Sequence, residues 1–359
     1  MTSVAASTAR TRPSLGRWRG PIYLVVTIVV AYLLLYLGVI FEANNLHQQM
    51  SLDQALSQAE QQFVNAVTIG AVYALIALGY TMVYGIIELI NFAHGEIFMC
   101  GSFVSWWLLT TLGFTGAIND PVQLTVVLAL AFLVSMVVMG TVGVIIERLA
   151  YRRLRNAPRL APLITAIGVS FILQNIIYVG ISNSIVTSPQ IIPNTFLAIG
   201  PITISLINLF VIVLALVLMF ALQAFVTRTR LGRAMRSTAM DREAAQLMGV
   251  DINTTIALTF FIGSALAGAA GVVQGLYFGV TQFQIGFQAG LKAFTAAVLG
   301  GIGNTTGAAI GGFVIGFVEV LVAVFGYGRW APAAVFAALV LVLIFRPTGI
   351  LGQQLADRA

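Results

Sequence analysis

The chain has 359 residues, of which 59% are hydrophobic and only 8% charged, with mean hydropathy +0.98. Soluble domains carry about 25% charged residues, so this composition cannot clothe a water-facing surface and points to an integral membrane protein. The net charge of +6 falls in short clusters between apolar runs, with no basic groove interleaved with aromatics, which argues against nucleic acid; a single cysteine, Cys100, excludes an intrachain disulfide framework.

Residues 1–20 are Ser/Thr/Arg-rich, contain no acid and carry Arg10, Arg12, Arg17 and Arg19. The apolar run at 21–41 is long enough to span and is not closed by a small-residue cleavage motif, so it reads as an uncleaved first span with 1–20 inside. Residues 42–61 are polar, Gln-rich and free of basic residues; they read as an external segment with a short surface helix on "SLDQALSQAE". Further spans are predicted at 62–87, 97–113, 122–147, 161–181, 203–226, 255–279, 288–303, 306–326 and 331–346, since a crossing needs roughly 20 apolar residues. Of these, 97–113 and 288–303 are short. Residues 182–202, with Pro189, Pro193 and Pro201, read as an extended external loop, and 353–359 as a tail. The expected fold is an all-α polytopic bundle of about 8–10 transmembrane helices, with broken or short members and an internal repeat.

The basic residues set the orientation. An inside N-terminus places Arg148, Arg152, Arg153, Arg155 and Arg159 in the loop 148–160 on the cytoplasmic side. It also places Arg228, Arg230, Arg233, Arg236 and Arg242 there, in the loop 227–254, together with Arg346 and Arg358 in the tail. Only Lys292 and Arg329 fall elsewhere, so the positive-inside rule puts both termini in the cytoplasm.

Two glycine-rich interruptions stand out: "INFAHGEIF" at 90–98 and "LGGIGNTTGAAIGG" at 299–312. Irregular backbone at membrane depth must be buried in protein or line a cavity, and paired interruptions are the pattern of a transport path built from repeats. Asn91, His94, Gly95 and Glu96 in the first, with Gly300, Gly301, Gly303 and Asn304 in the second, are therefore candidates for a path or gate. The competing reading is two ordinary cytoplasmic turns, in which Asn91 caps a helix and Glu96 faces the positive end of its dipole. In "GSALAGAAGVVQG", Gly263, Ala267 and Gly271 at four-residue spacing read as a close-packing face. Glu147 is expected to pair with Arg148 at the interface. Lys292 and Glu319 either pair or face the path, and a structural role is the favoured reading. A lone His94 without ligand-spaced partners does not suggest a metal. Every Asp lies in a loop or at an end, which leaves no catalytic set for a membrane enzyme and few coupling-ion carboxylates for a secondary transporter.

The segment "MDREAAQLMGVD", 240–251, lies in the most basic loop. Asp241 is placed to cap a helix, Ala244, Ala245, Gln246, Leu247 and Met248 favour one, and Gly249 suits its C-terminal end. The result is a two-turn helix offering Ala245, Leu247 and Met248, either resting on lipid headgroups or inserting as a knob into a cytosolic partner.

E-A-A-x-x-x-G is matched by Glu243, Ala244, Ala245 and Gly249, and this is similar to the cytoplasmic coupling motif of ABC importer permeases. Four blocks, "LINFAHGEIFMCGSF" (89–103), "GRAMRSTAMDREAAQLMGVDINTTIALTF" (232–260), "GLKAFTAAVLGGIGNTTGAAIGG" (290–312) and "FRPTGILG" (345–352), resemble the high-affinity branched-chain amino acid permease family in the same order. The resemblance covers about 62–352 and defines a permease transmembrane domain with its coupling loop at 227–254; the Arg-rich start and 42–61 extend beyond the family core. It implies a subunit of the bacterial cytoplasmic (inner) membrane with no cofactor of its own, ATP and Mg²⁺ being bound on partners. Those partners are a second homologous permease, two cytosolic ATP-binding subunits and an extracytoplasmic substrate-binding protein. Asp241, Arg242, Glu243, Ala244, Ala245, Leu247, Met248 and Gly249 would then dock into an ATP-binding subunit. The implied cargo is a branched-chain amino acid; urea, short amides and other amino acids are the alternatives. The chain carries no G-x-x-x-x-G-K-[ST] phosphate loop of its own.

Overall fold

The computed structural model describes residues 16–47, 50–155, 157–158, 160–199 and 202–352. The expected cytoplasmic segment up to residue 15 and the tail 353–359 lie outside the described residues.

Twelve helices make up most of the described chain: α1 Gly16–Asn45, α2 Leu52–Ile87, α3 His94–Thr111, α4 Pro121–Ile146, α5 Leu160–Gly180, α6 Leu206–Arg228, α7 Arg230–Met240, α8 Arg242–Leu247, α9 Ile252–Phe278, α10 Ile285–Gly300, α11 Thr305–Val322 and α12 Ala331–Phe345. Seven stretches among the described residues are long and apolar enough to cross a membrane, the last of them, Thr305–Phe345, holding both α11 and α12. Gly326, with φ 83°, breaks that stretch in two. The short predicted spans become α3, which begins with the polar His94 and Glu96, and α10, of 16 residues. The bundle is thus the expected all-α polytopic membrane fold.

Local chemistry explains most boundaries. Ser51 accepts from the Gln54 amide while Gln54 returns a bond to the Ser51 amide, a capping box that starts α2 at Leu52. With no breaker until Glu88, α2 runs unbroken for 36 residues. A separate surface helix on 51–60 is therefore not formed; those residues are the first turns of α2. Asp120 caps α4 through the amides of Val122 and Gln123, with Pro121 at the first helical position. Four short strands pair outside the helices: β1 Val186–Thr187 with β4 Val280–Thr281, and β2 Phe196–Ile199 with β3 Ile202–Ser205, both antiparallel. The extended loop predicted at 182–202 is thus partly a hairpin.

Within their most apolar windows α2 and α9 are 89% and 83% buried, against 28%, 22% and 17% for the stretches containing α4, α5 and α6. The two long buried helices are the axis of the bundle, and α4, α5 and α6 lie in its lipid-facing shell. Lipid tails are as apolar as the side chains, so close backbone approach rather than hydrophobic driving force holds such helices together. Small residues supply it. Gly271 lies against the backbone of Phe98 and Ser102, Gly316 against the backbone of Gly70, and Gly263 faces Gly79. Ser135 fastens one crossing by donating to the carbonyls of Gly268 (3.0 Å) and Gly101 (3.2 Å).

The packing repeats itself. α4 lies along α9 as α11 lies along α2; α3 packs on α9 and α4 as α10 packs on α2 and α11; α3 and α10 meet at the centre. The exchange maps α2–α3–α4 onto α9–α10–α11, and α2 and α9 run in opposite directions, since Arg242, shortly before α9, bonds Ile86 at the end of α2. The inverted repeat makes the break 88–93 equivalent to 279–284, since each separates a long buried helix from a short one. The pairing of 90–98 with 299–312 drawn from glycine density is corrected accordingly: the second glycine cluster serves the turn between α10 and α11.

Candidate coupling and gating site

The described loops gather at two ends. At one end lie the close of α2, the segment after α4, the α7–α8 corner and the start of α9; this is the arginine-rich end. The corner is built by a chain of caps. Thr229 accepts from the Gly232 amide to start α7 (2.9 Å). Asp241, with extended backbone at φ −156°, closes α7 and starts α8 by accepting from the Ala244 amide (3.0 Å). Gly249 ends α8 in the left-handed region at φ 84°, and the Val250 amide bonds the Ala245 carbonyl. Asp251 then starts α9, accepting from the Asn253 amide (2.9 Å) and the Thr254 hydroxyl (2.6 Å). The Thr254 hydroxyl and amide hold its carboxyl below the usual range.

Two residues in this corner differ from the reading of the sequence. Ala245 does not contribute to an outward surface; it is buried, because α8 packs that side on α9. Leu247 and Met248, 88% and 85% exposed, form the projecting apolar tip. Glu243, Ala244 and Gln246 are exposed around them. Arg242 turns back instead and donates to the Ile86 carbonyl (2.9 Å). Between the α8 start and the α2–α3 break lies an open cleft of about 600 Å³, lined by Ile86, Leu89, Leu154, Arg155, Arg242 and Glu243.

A buried carboxylate underpins the same end. Glu147 is fully buried and pairs with Arg152 (3.2 Å) and Arg155, while Arg155 also donates to Asn253 (2.7 Å). The expected partner Arg148 is exposed and takes no part. The reason is local: Glu147–Tyr151 is a π-helical turn, and its i to i+5 spacing brings Arg152 over Glu147. Sequence alone carried no signal for the π turn.

The candidate gate residues are all placed. Asn91 does not cap α3; the cap position is Ala93, and Asn91 Oδ1 accepts from the Tyr151 hydroxyl (3.0 Å) instead. His94 Nε2 lies 3.2 Å from the Ile76 carbonyl, with its ring edge-on to Tyr80 at 4.6 Å. Glu96 accepts from Ser170 (3.2 Å). Asn91, His94 and Glu96 are buried, and each keeps one polar atom without a hydrogen-bond partner: Asn91 Nδ2, His94 Nδ1 and Glu96 Oε2. The first turn of α3 lies directly on α10, with Gly95 against Gly286 and Gly290. Tyr151, Tyr80 and Ser170, which complete this cluster, lie in unremarkable sequence contexts.

The second group forms a tight turn. Gly301 and Gly303 have φ 107° and 88°. Asn304 accepts from the Gly307 amide (3.1 Å), capping α11, and donates to the Leu351 carbonyl (2.9 Å). Ile350 and Leu351 bond back to Leu299 and Gly300 (2.8 and 3.0 Å), so "FRPTGILG" clasps the turn. Gly85 near the end of α2 faces Gly303 of this turn, and Asn91 lines a crevice of about 10 Å³ with Tyr84, Phe294 and Ile302. That volume is about one water-sized probe, so no substrate-sized opening exists at this point.

The family model described as "Branched-chain amino acid transport system / permease component" matches residues 62–345. The chain belongs to this permease family. It is 46% identical over 303 residues to the high-affinity branched-chain amino acid transport system permease protein BraD of Pseudomonas aeruginosa, spanning 83% of this chain and 97% of that protein. It is 43% identical over 303 residues, with the same coverage, to LivH of Escherichia coli, and 28% identical over 299 residues to a probable LivH of Methanocaldococcus jannaschii, spanning 77% of this chain and 88% of that protein. No solved structure matches. As a member of this permease family the chain is a transport subunit, and the matched region runs from within α2 to the end of α12, leaving α1 and the first turns of α2 before it.

Proposed function

We propose that this permease is the translocation subunit of an ATP-binding cassette importer for branched-chain amino acids in the cytoplasmic membrane of a bacterium, with the arginine-rich end and both termini in the cytoplasm. Two separate ATP-binding subunits supply the ATP and Mg²⁺ chemistry, a second homologous permease completes the membrane pore, and an extracytoplasmic binding protein delivers the amino acid. This chain supplies no cofactor site for the reaction.

The observation that carries the reading is the α8 corner. A six-residue helix, fixed at both ends by caps, presents Leu247 and Met248 to solvent while Arg242 ties its root to α2. Apolar groups this exposed at a loop tip fit a protein groove, and Asp241, Glu243, Ala244 and Gly249 complete a compact docking surface around them. Movement of a docked ATP-binding subunit is passed through Arg242 and Ala245 to α2 and α9, the axis of the bundle. Asn91, His94, Gly95 and Glu96 then act with Gly300, Gly301, Gly303 and Asn304 as the inner gate, its closed form marked by the narrow crevice beside Asn91 and Ile302. The sequence identity to high-affinity branched-chain amino acid permeases supports leucine, isoleucine and valine over urea or amides as cargo.

The test is uptake of labelled leucine, valine and urea by the assembled importer in vesicles, with ATP hydrolysis followed in parallel. Gly249→Trp and Glu243→Lys should abolish leucine uptake and uncouple hydrolysis while the chain still reaches the membrane. Normal uptake by both variants would sink the docking role, and uptake of urea without leucine would replace the cargo.

A further inference from the structure

Lys292 is the only lysine in the sequence, and it lies on none of the basic clusters. It sits halfway along α10, about 12 Å by helical rise from either end. There Lys292 Nζ meets Glu319 of α11 at 2.6 Å and the Tyr73 hydroxyl of α2 at 3.2 Å, with the Tyr73 ring 5.6 Å beneath the ammonium. Tyr73 in turn donates to the other Glu319 oxygen (2.7 Å).

An ion pair at this depth is expensive, because two charges give up water for one another, and well-packed apolar residues hold helices together equally well. Its surroundings give it a use. The Lys292 and Glu319 side chains retain 15% and 22% exposure, so the pair is reached from outside the bundle. Gln288 and Gln284, both exposed, stand one and two turns before Lys292 on the same side of α10, Gln284 at its cap position. The three make a polar ladder from the end of α10 bearing β4 down to mid-helix. Amides directed into lipid would lose their hydrogen bonds without replacement, so this face belongs to a wet route.

We propose that Lys292, Glu319 and Tyr73 form the station at which a zwitterionic α-amino acid is held in transit, its carboxylate on Lys292 and its ammonium on Glu319. The inference rests on the amino-acid import reading above and names the residues that bind the cargo. Lys292 has three N–H donors and uses two; each Glu319 oxygen accepts one bond and has a further lone pair free. When the ligand enters, the internal pair opens and each half takes the ligand's opposite charge, so two charges of each sign are present and none is left alone. Only main-chain groups are read here, so the choice of a branched side chain is made elsewhere.

The experiment separates a binding station from a structural clip. The triple variant Lys292→Met, Glu319→Leu, Tyr73→Phe removes every polar member together and leaves no orphaned charge. A structural clip predicts leucine uptake within twofold of wild type by the assembled importer, and that result overturns the proposal. The proposal predicts normal assembly with the partner subunits and at least a tenfold loss of uptake. A second readout holds even if the triple variant fails to assemble. Gln288→Cys in the assembled importer should react with a membrane-impermeant thiol reagent, on this chain and above the wild-type level, at a rate that leucine slows; Cys100, the one cysteine of this chain, is buried. No labelling, or labelling indifferent to leucine, also overturns it. If the wild-type importer moves no α-amino acid at all, the import reading fails and this inference with it; if wild type imports leucine and the variants behave as wild type, only the station falls.

Discussion

The guanidinium of Arg242 donates to the backbone carbonyl of Ile86 at 2.9 Å, across 156 positions of sequence. Ile86 is next to last in α2, where helical carbonyls lack intrahelical partners and carry the negative end of the dipole. One charged side chain thereby joins the projecting corner to the most buried helix. Arg242→Ala should leave α8 intact, since Asp241 caps it, yet disconnect it from α2. Leucine uptake is expected to fall about tenfold while ATP hydrolysis by the assembled complex persists, and Arg242→Lys to recover part of the loss; loss of hydrolysis in step with uptake would count against this link.

Glu88 caps α2 in the left-handed region at φ 55°, a conformation that disfavours residues with a side chain. Glu88→Gly should raise the thermal midpoint of the purified complex, corresponding to about 1 kcal/mol of relieved backbone strain. A lowered midpoint would mean that the Glu88 side chain makes a contribution larger than the strain.

Asp251 accepts bonds from Thr254 and Asn253, and its carboxyl is held below the usual value of 3.8. A folded-state pKa below the unfolded one contributes stability above the unfolded value and loses it as pH falls toward the folded value. The thermal-midpoint difference between wild type and Asp251→Ala should therefore be constant from pH 7 down to about pH 4 and shrink below it. A difference that keeps its full size however far the pH is lowered would assign the effect to something other than this carboxylate.

Gly316 touches the backbone of Gly70 so closely that any Cβ would overlap it, whereas nothing lies within 4 Å of a Cβ at Gly168. Gly316→Leu should therefore destabilise by 3 kcal/mol or more or abolish folding, on the roughly 1–3 kcal/mol scale of overpacking plus a backbone clash. Gly168→Ala, in the interior of α5, should be neutral or stabilising by about 0.5–1 kcal/mol. The yield and melting of the two purified variants check the contrast.

Much of this was legible in the sequence because lipid imposes simple rules. Span positions follow from apolar length, and the caps at Asp241 and Gly249 from residue types that suit one backbone geometry. The sequence left Lys292 and Glu319 either paired or facing the path, because a bilayer leaves a buried charge few partners, and the structure shows the pair. The failures share a different cause. Glu147 takes Arg152 and Arg155 rather than its neighbour because a π turn changes the periodicity, and nothing in "ERLAYRRLR" announces one. Ala245 faces inward because the angle between α7 and α8 is set by packing on α9. The repeat was assigned to the wrong pair of breaks because glycine density reports tight packing as readily as irregular backbone.

α2 is an unbroken helix of 36 residues, about 54 Å from the Ser51 cap to its end at Ile87. At that length it behaves as a lever. A tilt of only about 5° about one end sweeps the other through about 5 Å, close to one helical pitch. The arm held by Arg242 at one end is the same body whose first turns stand beyond the apolar core at the other. A tilt of α2 driven from α8 would be carried along the whole helix, so that its far end shifted by several ångströms without any helix needing to break.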